Sequence, residues 1–133
     1  MKTSTDIRED VQEYYGKILK TKNDLQTSAC CAADSIPAYL RPYLKNIHEE
    51  VQSRFYGCAS TFPSALYGKT VVDLGCGSGR DCYLIAQVVG PNGLVIGIDM
   101  TDEQLAVARK HVGYHTSKFN LDKPNVDFRK GWI

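Results

Sequence analysis

Residues 71–81 read VVDLGCGSGRD: an apolar run beginning at Thr70 passes an acid at Asp73 and breaks into glycines at 75, 77 and 79. A β-favouring run this short, closed by turn residues, predicts a buried strand over Thr70–Leu74. Beyond the glycines, Cys82, Ile85, Ala86 and Val89 recur at helical spacing until GPNG at 90–93 stops the helix. LVIGID at 94–99 is a second buried strand, and Thr101 with Gln104 forms a capping-box pattern opening a helix that carries Leu105, Ala108 and Val112. Pro124 and Asn125 introduce a third strand, Val126–Arg129. The order β-α-β-α-β predicts an α/β fold with a parallel sheet covered on both faces by helices. Such sheets usually have about five or six strands. With three in view, the expectation is a chain truncated inside its sheet.

In an open parallel sheet, ligands sit beyond the carboxyl ends of the strands, where the first strand-to-helix turn brings backbone N–H groups close. Gly75, Gly77 and Gly79 allow that approach, and the next helix presents its N-terminus to the same crevice. Asp99 ends the second strand 20 residues after Gly79, where a carboxylate accepts both hydroxyls of an adenosine ribose. Met100 follows as an apolar neighbour for adenine. A dinucleotide fingerprint is G-x-G-x-x-G, whereas this order is G-x-G-x-G. Asp73 would repel a pyrophosphate and suits a cationic ligand.

Further out, the composition is globular, with 43% hydrophobic and 23% charged residues among 133 and a formal charge of +1. That balance gives no electrostatic footprint for nucleic acid or anionic membrane. No window approaches the roughly 18 apolar residues of a membrane span, and MKTSTDIRED at the start lacks the apolar stretch of a signal peptide. A soluble cytoplasmic protein is expected. Ahead of the sheet the period is helical: Val11, Tyr14, Tyr15, Ile18 and Leu19 mark a helix from Asp6 to Lys20, with Asp6, Glu9 and Asp10 near its N-terminus. A second helix runs through Leu44, Ile47, Val51 and Phe55, with Pro42 near its start and Gly57 past its end.

The five cysteines, Cys30, Cys31, Cys58, Cys76 and Cys82, are an odd set with no Cys-x-x-Cys pair. Reduced thiols are expected, without a disulfide scaffold or zinc site. Cys76 and Cys82 read as buried packing residues. His48, beside Glu49 and Glu50, reads as part of a solvated face, and His111 and His115 lie one helical turn apart without a third ligand.

VVDLG followed by G-x-G-x-G resembles the first motif of class I methyltransferases that use S-adenosylmethionine. Within that class, DVQEYYGKILKTKNDLQTSACC (10–31), NIHEEVQSRFYGC (46–58), DLGCGSGRDCY (73–83) and GIDMT (97–101) resemble the arsenite methyltransferase family. The resemblance implies an N-terminal helical segment, residues 1–68, followed by an incomplete Rossmann-like cofactor domain, residues 69–133. It implies S-adenosylmethionine held by Tyr56, Asp73, Gly75, Gly77, Gly79, Asp99 and Met100. By the same resemblance Cys30 and Cys58 are catalytic thiols, Cys58 is an arsenic ligand, and Cys31 is an adjacent extra thiol. Trivalent arsenic is soft, and thiolates are the soft ligands a protein offers. Two further cysteines of the family are expected downstream of Ile133, so the chain alone is expected to be inactive. In this class the residues after the third strand, here Trp132 and Ile133, lie beside adenine.

The implied partners are trivalent arsenic or its thiol conjugates and a thiol reductant, thioredoxin or glutathione, with the protein a cytoplasmic monomer. Three alternatives stay open: a methyltransferase for another small molecule, an NAD-dependent oxidoreductase, and a binding fragment without catalysis.

Overall fold

β-Branched side chains need a pleated surface to pack on, and the run ending at Leu74 finds one. In the computed structural model, which describes residues 3–14, 16, 36–55 and 62–133, β1 (Thr70–Leu74), β2 (Leu94–Asp99) and β3 (Val126–Lys130) form one parallel sheet in the order β1-β2-β3. The register sets Val71 beside Val95 and Gly97 beside Phe128. Period-two alternation then puts Val71, Asp73, Val95, Gly97 and Phe128 on one face. The helices α3 (Arg80–Val89) and α4 (Asp102–Lys110) pack against the strands and bury Cys82, Leu84, Val89, Leu105 and Ala108.

The opposite face carries Val72 and Leu74, which are 52% and 61% exposed. Among the described residues, the cover expected on both faces is therefore present at β1 on one only. The cause is topological: crossovers of one hand that step in one direction along a sheet return their helices to the same face.

Three predicted helices differ in detail. The first helix, α1, spans Ser4–Glu13, starting two residues earlier than predicted, and residues 17–20 of the prediction lie outside the described residues. The second predicted helix is two pieces, a 3-10 helix at Arg41–Asn46 and α2 at Glu49–Ser53. Ile47 and His48 between them are extended, with ψ of 132° and 139°. The break is stabilised from both sides. Asn46 Nδ2 donates to Gln87 Oε1 on α3 at 2.7 Å, and His48 Nδ1 accepts from the Glu50 N–H at 3.1 Å, capping α2. The helix predicted through Val112 stops at Lys110, and α5 (Val112–Lys118) begins after His111. The capping box does not form: Thr101 makes no side-chain cap bond, its N–H goes to Asp99, and Gln104 Nε2 reaches the Arg54 carbonyl at 3.3 Å. Tertiary partners outcompete the local pair.

All three histidines meet where α2 docks on α4 and α5. His48 is half-buried rather than solvated, and its ring stacks on His111 with centroids 3.7 Å apart. His111 Nε2 lies 2.7 Å from Glu50 Oε1. His115, 1% exposed, accepts from the His48 N–H at Nε2 (3.1 Å), while its Nδ1 lies 2.7 Å from the His111 carbonyl. With Nδ1 donating and Nε2 accepting, the ring is neutral; burial, foremost, pulls its pKa down to about 4. Among the described residues no group of three His, Cys, Asp or Glu side chains is arranged to hold a metal ion.

Candidate cofactor-binding site

Strand β2 ends in two acceptors, and the glycine turn hangs from them. The Ile98 carbonyl accepts from the N–H groups of Gly75 (2.7 Å) and Cys76 (3.0 Å). Asp99 Oδ1 accepts from the Gly77 N–H at 3.2 Å, and Oδ2 from the Thr101 N–H at 3.0 Å. These bonds fix the path of the turn and the orientation of the carboxylate together. The backbone needed is left-handed at all three glycines, with φ of 79°, 55° and 90° at Gly75, Gly77 and Gly79.

Asp73, Gly75, Gly77, Gly79, Asp99 and Met100 are thus assembled at the carboxyl end of β1 and β2. A carboxylate offers about four lone-pair sites, so Asp99 keeps capacity after its two backbone bonds. A Cβ placed on Gly77 would meet no heavy atom within 4 Å, so the turn backbone faces open space there. Asp73 sits deeper, accepting from the Cys82 thiol at 3.4 Å. Burial pushes its pKa up to about 6; the Cys82 bond works in the opposite direction, and the Asp81 and Asp99 charges add to the rise. Two carboxylates beside a glycine turn suit a ligand with cationic groups and ribose hydroxyls, and disfavour a pyrophosphate.

Three further side chains support the turn and escaped the sequence reading. Ser78, 1% exposed, donates its hydroxyl to the Val51 carbonyl of α2 at 2.8 Å. The Arg80 guanidinium lies 3.4 Å from the centroid of the Phe55 ring and donates to Asp81 Oδ1. Gln12 of α1 donates to the Met100 carbonyl. Only the small residue between two glycines hinted at Ser78; Val51, Phe55 and Met100, against which the three side chains are set, lie far away in sequence. Arg8 of α1 stands 5.8 Å over the Trp132 ring. Tyr56, Cys30, Cys31 and Cys58 lie outside the described residues. Cys76 and Cys82 are buried free thiols. A recess of about 340 Å³ between α1 and α4 is lined by Glu9, Gln12, Glu13, Asp102 and Glu103, an oxygen-rich wall with no soft donor for arsenic.

Residues 66–133 match the methyltransferase domain family. An arsenite methyltransferase from Aquipseudomonas alcaligenes is 54% identical over 127 residues, 96% of this chain and 36% of that protein. One from Rattus norvegicus is 51% identical over 129 residues, 96% of this chain and 35% of that protein. The chain therefore spans about a third of the length of these relatives. The crystal structure of an arsenic(III) S-adenosylmethionine methyltransferase from Chlamydomonas reinhardtii superimposes with a TM-score of 0.69 at 41% identity, covering 73% of this chain and 33% of that one. Among the described residues no helix is long and apolar enough to cross a membrane.

Proposed function

The chain belongs to the methyltransferase domain family, and from that premise we propose that the protein carrying it transfers a methyl group from S-adenosylmethionine to thiol-bound trivalent arsenic. One observation carries the arsenic half: identity to arsenite methyltransferases runs over 127 residues, far more than the 68 that match the methyltransferase domain. The likeness thus includes the segment before the sheet, where Cys30 and Cys58 stand. We divide the chain accordingly into a helical segment, 1–68, and a cofactor domain, 69–133.

S-adenosylmethionine supplies a methyl group on a sulfonium, ready for attack without an activated nucleophile. The chain's own residues then have two tasks. Gly75, Gly77 and Gly79 would let the backbone approach the cofactor, Asp99 would take the ribose hydroxyls, Asp73 would face the ammonium group, Met100 would lie beside adenine and Tyr56 would cover the cofactor. Cys30 and Cys58 bear on the arsenic, with Cys58 a ligand that replaces an oxygen or thiol on the incoming species. Holding arsenic in line with the methyl carbon and excluding water is the catalytic contribution. The methyl group would pass from that sulfonium, left as a thioether, to the arsenic lone pair, and a thiol reductant, thioredoxin or glutathione, would return the oxidised arsenic to the trivalent state. We place the protein in the cytoplasm as a monomer.

The test is carried out on the protein that carries this chain. Calorimetry should show S-adenosylmethionine binding that Asp99→Ala weakens roughly tenfold or more, the scale of a lost hydrogen-bonded carboxylate. Replacing both Cys30 and Cys58 with serine should abolish thiol-dependent methylarsenic production while leaving cofactor binding intact. Binding of NAD in place of S-adenosylmethionine would establish the oxidoreductase alternative, and full methylation by the double variant would refute the arsenic assignment.

A further inference from the structure

Cys82 looks, by sequence, like a small apolar residue on the buried side of a helix, and it is fully buried in the first turn of α3. Its sulfur is nonetheless turned to the carboxylate of Asp73, 3.4 Å from Oδ2. The thiol of Cys76, in the glycine turn, donates to the Gly77 carbonyl at 3.7 Å. Both sulfurs converge over Gly97, where a Cβ would stand 2.9 Å from each. A side chain at position 97 would push the thiols aside, so the glycine in the middle of β2 makes room for the pair. A thiol is a weak donor. Next to a carboxylate withdrawn from water, a weak donor still decides between charge states.

We propose that Cys82 is a positioning residue of the cofactor site, its thiol donating to Asp73 so that this carboxylate stays ionised and fixed in orientation for the ammonium group of the cofactor. The proposal rests on the S-adenosylmethionine assignment and deepens it by giving a role to a thiol outside the arsenic chemistry. The groups around Asp73 are few. Cys82 and Asp81 of α3 and Asp99 of β2 bear on it, and Cys76 of the turn bears on Cys82. Burial and both neighbouring acids favour protonated Asp73, and the Cys82 bond opposes them, leaving a midpoint of about 6. Cys82 itself keeps its proton, because the neighbouring Cys76 thiol, its burial and the Asp73 charge all raise its pKa. It is therefore a donor throughout the neutral range.

Two readouts test this, one without cofactor. Carbon NMR titration of the Asp73 carboxyl should give a midpoint near 6 in the unaltered protein, a midpoint roughly half a unit to one unit higher in Cys82→Ala, and no rise in Cys82→Ser, whose hydroxyl restores the donor. Calorimetry with S-adenosylmethionine should then find Cys82→Ala weaker by roughly threefold at pH 6 and near parity at pH 7.5, since the ionised fraction recovers there. Melting curves report whether each variant is folded. Equal Asp73 midpoints in all three proteins would overturn the proposal, as would a loss of affinity shared by both variants and independent of pH, the mark of packing alone. If the unaltered protein binds no S-adenosylmethionine at any pH, the cofactor assignment fails, and the role of Cys82 in it fails too, whereas the titration still reports on the thiol–carboxylate bond itself.

Discussion

Two junctions hold the described part of the chain together, and they are built from different groups. At the glycine turn, backbone N–H groups of Gly75, Cys76 and Gly77 bond to the end of β2, across one intervening helix. At the dock of α2, the ring nitrogens of His111 and His115, the His48 N–H and the carboxylate of Glu50 bridge residues 61 and 67 apart in sequence. Backbone groups carry no proton that titrates in the physiological range, so the turn answers to steric change. Imidazoles change their hydrogen-bonding roles when protonated, so the dock answers to pH.

The largest effect expected is steric. Gly79 is left-handed at φ +90°, and a Cβ there would lie 2.9 and 3.0 Å from the Phe128 ring and 3.3 Å from the Ala108 Cβ. Backbone strain and overpacking together put Gly79→Ala at about 3 kcal/mol or more of lost stability. Gly77 has the same handedness, φ +55°, but open space around it, so Gly77→Ala should lose only about 1–2 kcal/mol. Urea unfolding of the two variants measures the difference. Equal losses would mean that the fit against β3, absent at Gly77, contributes nothing.

The dock should break with acid. The folded-state pKa of His115, about 4, lies below its ordinary 6.5. Between these values the unfolded chain binds the extra proton, so the stability contributed is complete above pH 6.5 and is lost as pH falls towards 4. A depression of this size corresponds to about 3 kcal/mol. His115→Gln removes this titration while leaving Asp73, whose raised pKa acts with the opposite sign over the same range, in both proteins. The stability advantage of the unaltered chain over the variant, measured in urea at pH 7 and pH 4, should shrink by about that amount. A constant difference would show that the His115 ring is held by packing on Tyr83, stacked at 3.6 Å, and not by its neutral state.

The same division explains what could be read before the fold was known. Thr70–Leu74, Leu94–Asp99 and the turn between them declare themselves because the residues that shape the turn are contiguous and glycine has few other reasons to recur at alternate positions. Asp99 was legible through its spacing from Gly79. The dock was not. His48 stands beside Glu49 and Glu50 and so looks solvated; only α5, whose His115 lies 67 residues on and accepts from the His48 N–H, draws it into the dock. Thr101 and Gln104 mislead in part for the same reason: the capping pattern loses to Asp99, two residues back, and to the Arg54 carbonyl, 50 residues from Gln104 and outside any short window. The thiol pair at Cys76 and Cys82 was placed correctly as buried, while the carboxylate it serves depends on the β1–α3 packing.

The smallest effect separates the two side chains that share Glu50. His111 Nε2 lies 2.7 Å from Oε1 with its ring only 9% exposed, whereas Lys110 Nζ lies 3.1 Å from the same oxygen and is 64% exposed. Both hold the Glu50 carboxyl below its ordinary pKa, the His111 hydrogen bond being the larger cause. An exposed ammonium is screened by salt and gives up side-chain freedom to pair, so Lys110→Ala should change stability by less than about 0.5 kcal/mol. That difference should vanish in salt of about 1 M, where the Debye length falls to roughly 3 Å. A loss beyond about 1 kcal/mol that persists in salt would make the dock an ion-pair network reaching into solvent. Its acid sensitivity would then belong to the Glu50 carboxylate, and the contrast with the turn would be one of charge and not of imidazole hydrogen bonding.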